Sequence, residues 1–216
     1  MNLTELQQEI IATAYDFNIS GLSVGTSGNL STRHEDGFLI TPTGVAYGDL
    51  RPEDIVLCDL HGRVVSGVLR PSSEWPLHAA IYTEREDVNA IVHVHSPYAT
   101  GLACNRKAIP AFHYMVAVAA GDQIPCAEYA TFGTDELSNN VVSVLSGYKA
   151  CLLANHGMVA VGDTVASAYK LAHEVELLAK QYCISLQFGG PVLLDAAEMQ
   201  TNIEKFKIYG KQDNQE

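Results

Sequence analysis

The 216-residue sequence predicts a single domain built on a mixed, mostly antiparallel sheet covered by helices. Three observations lead to that fold class. Short apolar stretches of strand length outnumber helical ones and follow one another in hairpin-like succession. Segments of helical period lie between and after them. No linker, low-complexity tract or internal repeat divides the chain, and a 47% hydrophobic content at this length is enough to bury a sizeable core.

The elements follow in order. Thr4 with Gln7 has the form of a capping box, and Leu6, Ile10, Ile11, Ala14 and Phe17 trace an apolar stripe to about Ser20, where Gly21 supplies a C-terminal stop. A loop of small residues, Gly25-Thr26-Ser27-Gly28-Asn29, leads to short strands at Leu30 to Arg33 and Phe38 to Thr41. Thr41-Pro42-Thr43-Gly44 makes a turn, and Ile55 to Asp59 pairs with Val64 to Val65 across His61-Gly62. A helix begins at Glu74, with Pro76 tolerable because it falls in the first turn. Val88 to His95 is a β-branched strand, Pro97 opens another helix, and Thr134 caps one that ends near Gly147. Cys151 to Ala154 and Met158 to Val161 form a hairpin carrying His156-Gly157, and a long helix runs from about Thr164 to Phe188.

Composition excludes several classes of function. The 13 Lys+Arg against 25 Asp+Glu give a net charge of −12, unsuited to nucleic acid or an anionic membrane. A small anionic ligand, which needs only a local site, remains compatible. The longest apolar stretches, such as Met115 to Ala120, fall far short of the roughly 20 residues of a spanning helix. The N-terminus shows no basic region followed by an apolar run, so no signal peptide is expected. Cys58, Cys104, Cys126, Cys151 and Cys183 form no CxxC and suit reduced thiols in the cytoplasm.

Histidine carries the first chemical signal. His93 and His95 lie at i and i+2 of a strand, on one face and roughly 6–7 Å apart. An isolated pair of this kind is more often hydrogen-bonded at a strand end than metal-bound. His156, between an apolar strand and Gly157 where the backbone can turn sharply, adds a third. Three histidines with an open position form the pattern of a catalytic zinc site. His34 and His61 fall in polar turns and suit solvated side chains, and His173 suits a surface or interface. His78, four residues after Glu74 on one helical face, suits packing, a hydrogen bond or support of a ligand. Glu74 itself is either a carboxylate favoured by a helix N-terminus or a metal ligand and general base.

Gly25 to Asn29, Thr43-Gly44 and Ser72-Ser73 are small and donor-rich, as oxyanion-binding loops are. None contains Lys or Arg, although Arg70 is near. A phosphate held there would rest on neutral donors, with a metal as the main positive charge.

Taken together, these stretches resemble the class II aldolase/adducin family. The resemblance rests on Gly25 to Ser31, Ile40 to Gly44, Pro71 to Trp75, Val92 to His95, Ile109 to Met115, Ile124 to Cys126, Tyr129 to Thr134, His156-Gly157 and Glu204 to Gly210, in order along nearly the whole chain. It implies a three-layer α/β/α sandwich spanning 1–216, with 200–216 as a C-terminal tail near the active site. It also implies a cytoplasmic homotetramer with active sites between subunits and no nucleic-acid or membrane partner. By matched motif, His93, His95 and His156 are zinc ligands, and manganese or cobalt would fit as well. Glu74 is a fourth ligand and the catalytic acid/base. Gly28, Asn29, Thr43, Gly44, Ser72 and Ser73 resemble the phosphate-binding set. Tyr114 resembles a catalytic tyrosine serving a neighbouring subunit's site, and Phe132, Phe206 and Tyr209 resemble the lining of the aldehyde end.

The implied reaction is reversible cleavage of a ketose 1-phosphate to dihydroxyacetone phosphate and an aldehyde. L-fuculose 1-phosphate or a related deoxy sugar is the expected substrate. The alternative is 5-deoxyribulose or 5-methylthioribulose 1-phosphate, in salvage of S-adenosylmethionine by-products. Such a cleavage needs a lysine Schiff base or a Lewis acid. Lys107, Lys149, Lys170, Lys180, Lys205, Lys207 and Lys211 all lie in turns, helices or the tail, which favours the metal route. Three other activities of the scaffold compete. Pentulose-phosphate 4-epimerases usually carry aspartate where Glu74 stands, dehydratases eliminate water from methylthioribulose 1-phosphate, and adducin-like modules lack a complete metal set. The chain departs from the family pattern at Ser96-Pro97-Tyr98, Ala154-Asn155 and Gln187 to Leu194, which bears on aldehyde preference.

Overall fold

The computed structural model describes residues 2–208. Helix α1 (Leu3–Ser20) begins at Asn2. The Asn2 side chain accepts from the Glu5 N–H, and the Glu5 carboxylate accepts from the Asn2 N–H. The capping box is thus Asn2/Glu5 rather than Thr4/Gln7, because asparagine caps better than threonine and a first-turn glutamate complements the helix dipole. Gly21, at φ +74°, ends the helix as expected.

The remaining elements are β1 (Asn29–His34), β2 (Gly37–Ile40), β3 (Val56–Asp59), β4 (Val64–Ser66), α2 (Trp75–Glu84), β5 (Ala90–Val94), α3 (Pro97–Ala103), β6 (Cys126–Ala127), α4 (Asp135–Leu145), β7 (Ala150–Leu153), β8 (Gly157–Gly162), α5 (Val165–Gln187) and α6 (Ala196–Phe206). Eight strands form one sheet in the order β4-β3-β2-β1-β5-β8-β7-β6. Among the described residues every neighbouring pair is antiparallel except β6–β7. The sheet is therefore mixed and mostly antiparallel, as the sequence predicts.

The pleat divides the core into two layers. On one face Leu30, Leu39, Val92, Val94, Leu152, Met158 and Ala160 pack with Ile10 and Phe17 of α1, Leu102 of α3, Val175 of α5 and Met199 of α6. On the other, Phe38, Ile40, Val56, Ile91, Leu153, Val159 and Val161 pack with Leu77 and Tyr82 of α2 and Val141 and Leu145 of α4. The result is helix–sheet–helix. The alternation also decides where polar side chains go. Asn29 and Ser31 on β1, and His93 on β5, share the parity of the strand residues that face α2. Asn29 and His93 are moreover direct cross-strand partners.

Two elements differ from expectation. Residues 196–206, where the sequence predicts no element, form a helix capped by Asp195 and packed against a 3-10 segment at Tyr114–Ala119, and 209–216 of the expected 200–216 tail lie outside the described residues. The two-residue strand β6 was not anticipated, being too short to show a period. No helix among the described residues is long and apolar enough to cross a membrane.

Candidate metal centre and its pocket

Four side chains meet at one end of the sheet. His93 is the penultimate residue of β5, and His95 lies just beyond it. His156 sits in the β7–β8 turn, and Glu74 is the N-cap residue of α2. Their ligand atoms all lie within 4.8 Å of one another. The three imidazoles are arranged like propeller blades, with centroid separations of 4.9, 4.8 and 4.9 Å and interplanar angles of 74°, 72° and 69°.

The donor spacing suits a metal. Nε2 of His93 is 3.0 Å from Nε2 of His95, Glu74 Oε2 is 3.1 Å from His93 Nε2, and Glu74 Oε1 is 3.3 Å from His156 Nε2. Ligands ~2.0–2.1 Å from a tetrahedral ion stand roughly 3.3–3.4 Å apart. His93 Nδ1 lies 2.9 Å from the Met158 carbonyl and donates to it, which leaves Nε2 turned toward the cluster. Glu74 Oε1 is buried without a hydrogen-bond partner, an orphan that a bound cation would satisfy.

The electrostatics agree. Burial alone would raise the Glu74 carboxyl, but the charge and hydrogen bond of His93, followed by His156 and Asn29, outweigh it and hold it well below the usual carboxylate range. His93 is shifted upward: burial opposes its charge, but the Glu74 carboxylate and the Met158 carbonyl prevail. Burial, then the charge of His93, pushes His95 and His156 down to about 4. Around neutral pH Glu74 is thus a carboxylate and His95 and His156 are neutral imidazoles, the protonation states in which these side chains ligate a cation.

Gly157 has a different role from the one expected of it. Asn155 takes the left-handed conformation, at φ +53°, whereas Gly157 is not among the glycines in that region. Gly157 is required instead by close approach. A Cβ there would lie 2.6 Å from the Val94 carbonyl oxygen and 2.8 Å from His95 Cδ2.

The cluster opens into a cavity of about 360 Å³. Of the residues singled out by sequence, Gly28, Asn29, Thr43, Gly44, Ser72, Ser73, Glu74, His95, Phe132 and His156 line it. His93 lies behind the wall, fully buried. The donor-rich loops are tied together: Thr43 N–H donates to the Arg70 carbonyl, Ser72 N–H to the Thr41 carbonyl and Glu74 N–H to Ser72 Oγ. In the Gly25–Gly28 loop Tyr47 O–H donates to the Gly28 carbonyl at 2.6 Å, and Ser23 O–H donates to the Ser27 carbonyl. Gly28, at φ +93°, passes so close to β5 that a Cβ would meet the His93 carbonyl oxygen at 2.7 Å. Among the described residues no Lys or Arg lines the cavity.

Tyr114 and Phe206 lie elsewhere. Their rings stack 6.4 Å apart, Tyr114 is 50% exposed, and neither lines the cavity of its own chain. Tyr209 falls outside the described residues. Tyr129, named in sequence only within a matching stretch, and Asn155, named only as a departure from the family pattern, both line the cavity. Arg106, which sequence reasoning missed, links them. Arg106 Nε donates to Asn155 Oδ1 at 2.9 Å, and its guanidinium lies 5.8 Å from the centre of the Tyr129 ring. The available signal was Asn155 before His156, since asparagine is the non-glycine residue most at ease in a left-handed turn.

His78 is fully buried behind Asn29, and burial, then the charge of His93, pushes it down to about 3. It supports the site by hydrogen bonding, one of the roles its position suggested.

With this geometry in view, the chain belongs to the class II aldolase and adducin family. The family model for the class II aldolase and adducin N-terminal domain matches residues 8–183. Among similar proteins, a 5-methylthioribulose-1-phosphate/5-deoxyribulose-1-phosphate aldolase of Rhodospirillum rubrum is 52% identical over 205 residues, covering 95% of this chain and 92% of the relative. An L-fuculose phosphate aldolase of Escherichia coli K12 is 46% identical over 211 residues, covering 97% and 98%. A solved structure of an L-fuculose 1-phosphate aldolase superposes with a TM-score of 0.91 at 43% identity, covering 94% of this chain and 96% of that one. The fold is therefore the class II aldolase fold.

Proposed function

We propose that this protein is a metal-dependent aldolase that cleaves a ketose 1-phosphate, L-fuculose 1-phosphate or a related deoxy sugar, into dihydroxyacetone phosphate and an aldehyde. The observation that carries this reading is the His93–His95–His156–Glu74 cluster at the wall of a cavity whose other side is built from neutral oxyanion-type loops. Three borderline imidazole donors and one hard carboxylate suit zinc, with manganese and cobalt as alternatives. When bound, the metal supplies Lewis-acid stabilisation of the negative charge that develops on the dihydroxyacetone phosphate half.

The chain's own residues do the rest. Asn29, Thr43, Gly44, Ser72 and Ser73 hold the phosphate, with Gly28 allowing the loop its close approach. Cleavage breaks the C3–C4 bond and leaves its electron pair on C3. One proton leaves the C4 hydroxyl and one arrives at C3. Glu74 manages the proton at C3, and Tyr114, supplied by a neighbouring subunit of a homotetramer, manages the one at the aldehyde oxygen. Phe132, Phe206 and Tyr209 are assigned to an apolar aldehyde end, Phe206 reaching it from a neighbouring subunit because it stacks on Tyr114 away from its own chain's cavity. The protein acts in the cytoplasm on a small phosphorylated sugar. The 52% identity to the Rhodospirillum rubrum enzyme supports a second substrate reading, 5-deoxyribulose or 5-methylthioribulose 1-phosphate.

The test is release of dihydroxyacetone phosphate from L-fuculose, 5-deoxyribulose and 5-methylthioribulose 1-phosphates by zinc-loaded protein. Cleavage is expected, and the ratio of kcat/KM values names the substrate. No release from any of the three would overturn the proposal in favour of epimerase or dehydratase chemistry.

A further inference from the structure

Behind Glu74 a row of buried polar side chains runs between α2 and β1. Asn29 Nδ2 is 3.0 Å from Glu74 Oε2, Asn29 Oδ1 is 2.6 Å from His78 Nε2, His78 Nδ1 is 2.6 Å from Ser31 Oγ, and Ser31 Oγ is 2.8 Å from the Tyr82 hydroxyl. We propose that this row is a one-way chain of hydrogen bonds, donated from Tyr82 toward Glu74, in which His78 is a positioning residue that fixes the Asn29 amide and through it the Glu74 carboxylate.

The direction follows from what each group can offer. An ionised carboxylate only accepts, so Asn29 presents its NH₂ to Glu74 and its Oδ1 to His78. Oδ1 only accepts, so His78 carries its proton on Nε2. The bare Nδ1 then accepts from Ser31 O–H, and Ser31 Oγ, its proton committed, accepts from Tyr82 O–H. Turning the Asn29 amide over would set its oxygen against the carboxylate and its NH₂ against the Nε2–H. Every link is buried, so no water compensates for a wrong orientation.

The row exists because two periods nearly match. Glu74, His78 and Tyr82 are spaced four residues apart around α2, a rise of about 6 Å per step. Asn29 and Ser31 are two residues apart on β1, a rise of about 6.6 Å. Side chains from the helix and the strand therefore alternate like the teeth of a zip, ending on the residue assigned to proton transfer. This inference rests on that assignment for its effect on turnover, though not for its geometry.

Two measurements test it. The first is two-bond ¹⁵N–¹H correlation on histidine-labelled, zinc-loaded protein, with the His78 signals identified by their loss in His78→Gln. A pyridine-type Nδ1 and a protonated Nε2 are expected. A protonated Nδ1, with Nε2 bare or also protonated, would overturn the chain whatever the substrate proves to be. The second compares His78→Gln, whose amide replaces the Nε2 donor, with His78→Asn, whose shorter amide reaches only the Nδ1 side. Asparagine should lower kcat about 10–100-fold with zinc content unchanged, and glutamine should recover most of the loss. Equal kcat in both folded variants would remove His78 from the positioning role. If the wild type cleaves none of the substrates, the aldolase reading fails while the tautomer still decides the chain.

Discussion

Glu74 is buried, yet the groups around it favour its anion, because His93, His156 and Asn29 together outweigh desolvation. Glutamine there keeps the size and can turn its amide oxygen to the position of Oε2, where it still accepts from Asn29, but it cannot take up a proton. Glu74→Gln is expected to retain zinc on the three histidines while kcat falls about 10²–10⁴-fold. His93→Ala removes a fully buried ligand and should lose the metal itself. Elemental analysis alongside turnover separates the two: full activity in the glutamine variant or stoichiometric zinc in the alanine variant would refute the assignments. At this scale the sequence was informative where one period placed residues together. His93 and His95 are two apart on a strand, and His156 follows an apolar run. The Arg106–Asn155–Tyr129 contact was illegible because its members come from three separate connections, brought together only by the packing of α3 beside β7.

At the scale of elements, the close approach of β8 to β5 positions the candidate metal ligands. Met158 pairs with Val94, and its carbonyl takes the His93 Nδ1 proton. Gly157 lets that pairing continue to the turn. Gly157→Ala would thrust a methyl to 2.6 Å from the Val94 carbonyl and 2.8 Å from the His95 ring. The backbone must yield, at about 1–3 kcal/mol of stability, and zinc affinity should fall about 10–100-fold. A chelator competition on wild type and variant reads this directly, and unchanged affinity would mean that the ligands do not depend on this approach. The long elements were legible: α5 does run between Thr164 and Phe188, Thr134 does cap α4, and Pro76 does lie in the first turn of α2. Helix α6 was not, although Asp195 and Glu198 give a start signal. Its apolar positions, Met199, Ile203 and Phe206, are few, and its packing partner at Tyr114–Ala119 lies about 80 residues away in sequence.

For the whole molecule, a net charge of −12 would repel a phosphorylated substrate from most of the surface, so the site must supply its own attraction. Among the described residues no Lys or Arg lines the cavity, so the proposed function assigns that attraction to neutral donors and a bound metal. Tyr114 and Phe206 stack on each other, and neither lines the cavity of its own chain. The proposed function places both at the aldehyde end of another copy's site. That arrangement predicts complementation between two inactive variants. Tyr114→Phe and Glu74→Gln each lack one proton-transfer group, and each should lose about 10²–10⁴-fold in kcat. Unfolded together in equal amounts and refolded, they form mixed oligomers. A site that draws Glu74 from one subunit and Tyr114 from its neighbour has both intact in about a quarter of cases. Activity should therefore return to about a quarter of wild type, whereas refolding either variant alone recovers none. If instead each site is completed within its own chain, every site in the mixture carries one lesion. Activity in the mixture would then stay at the level of the parent variants, and the subunit-shared site would fall.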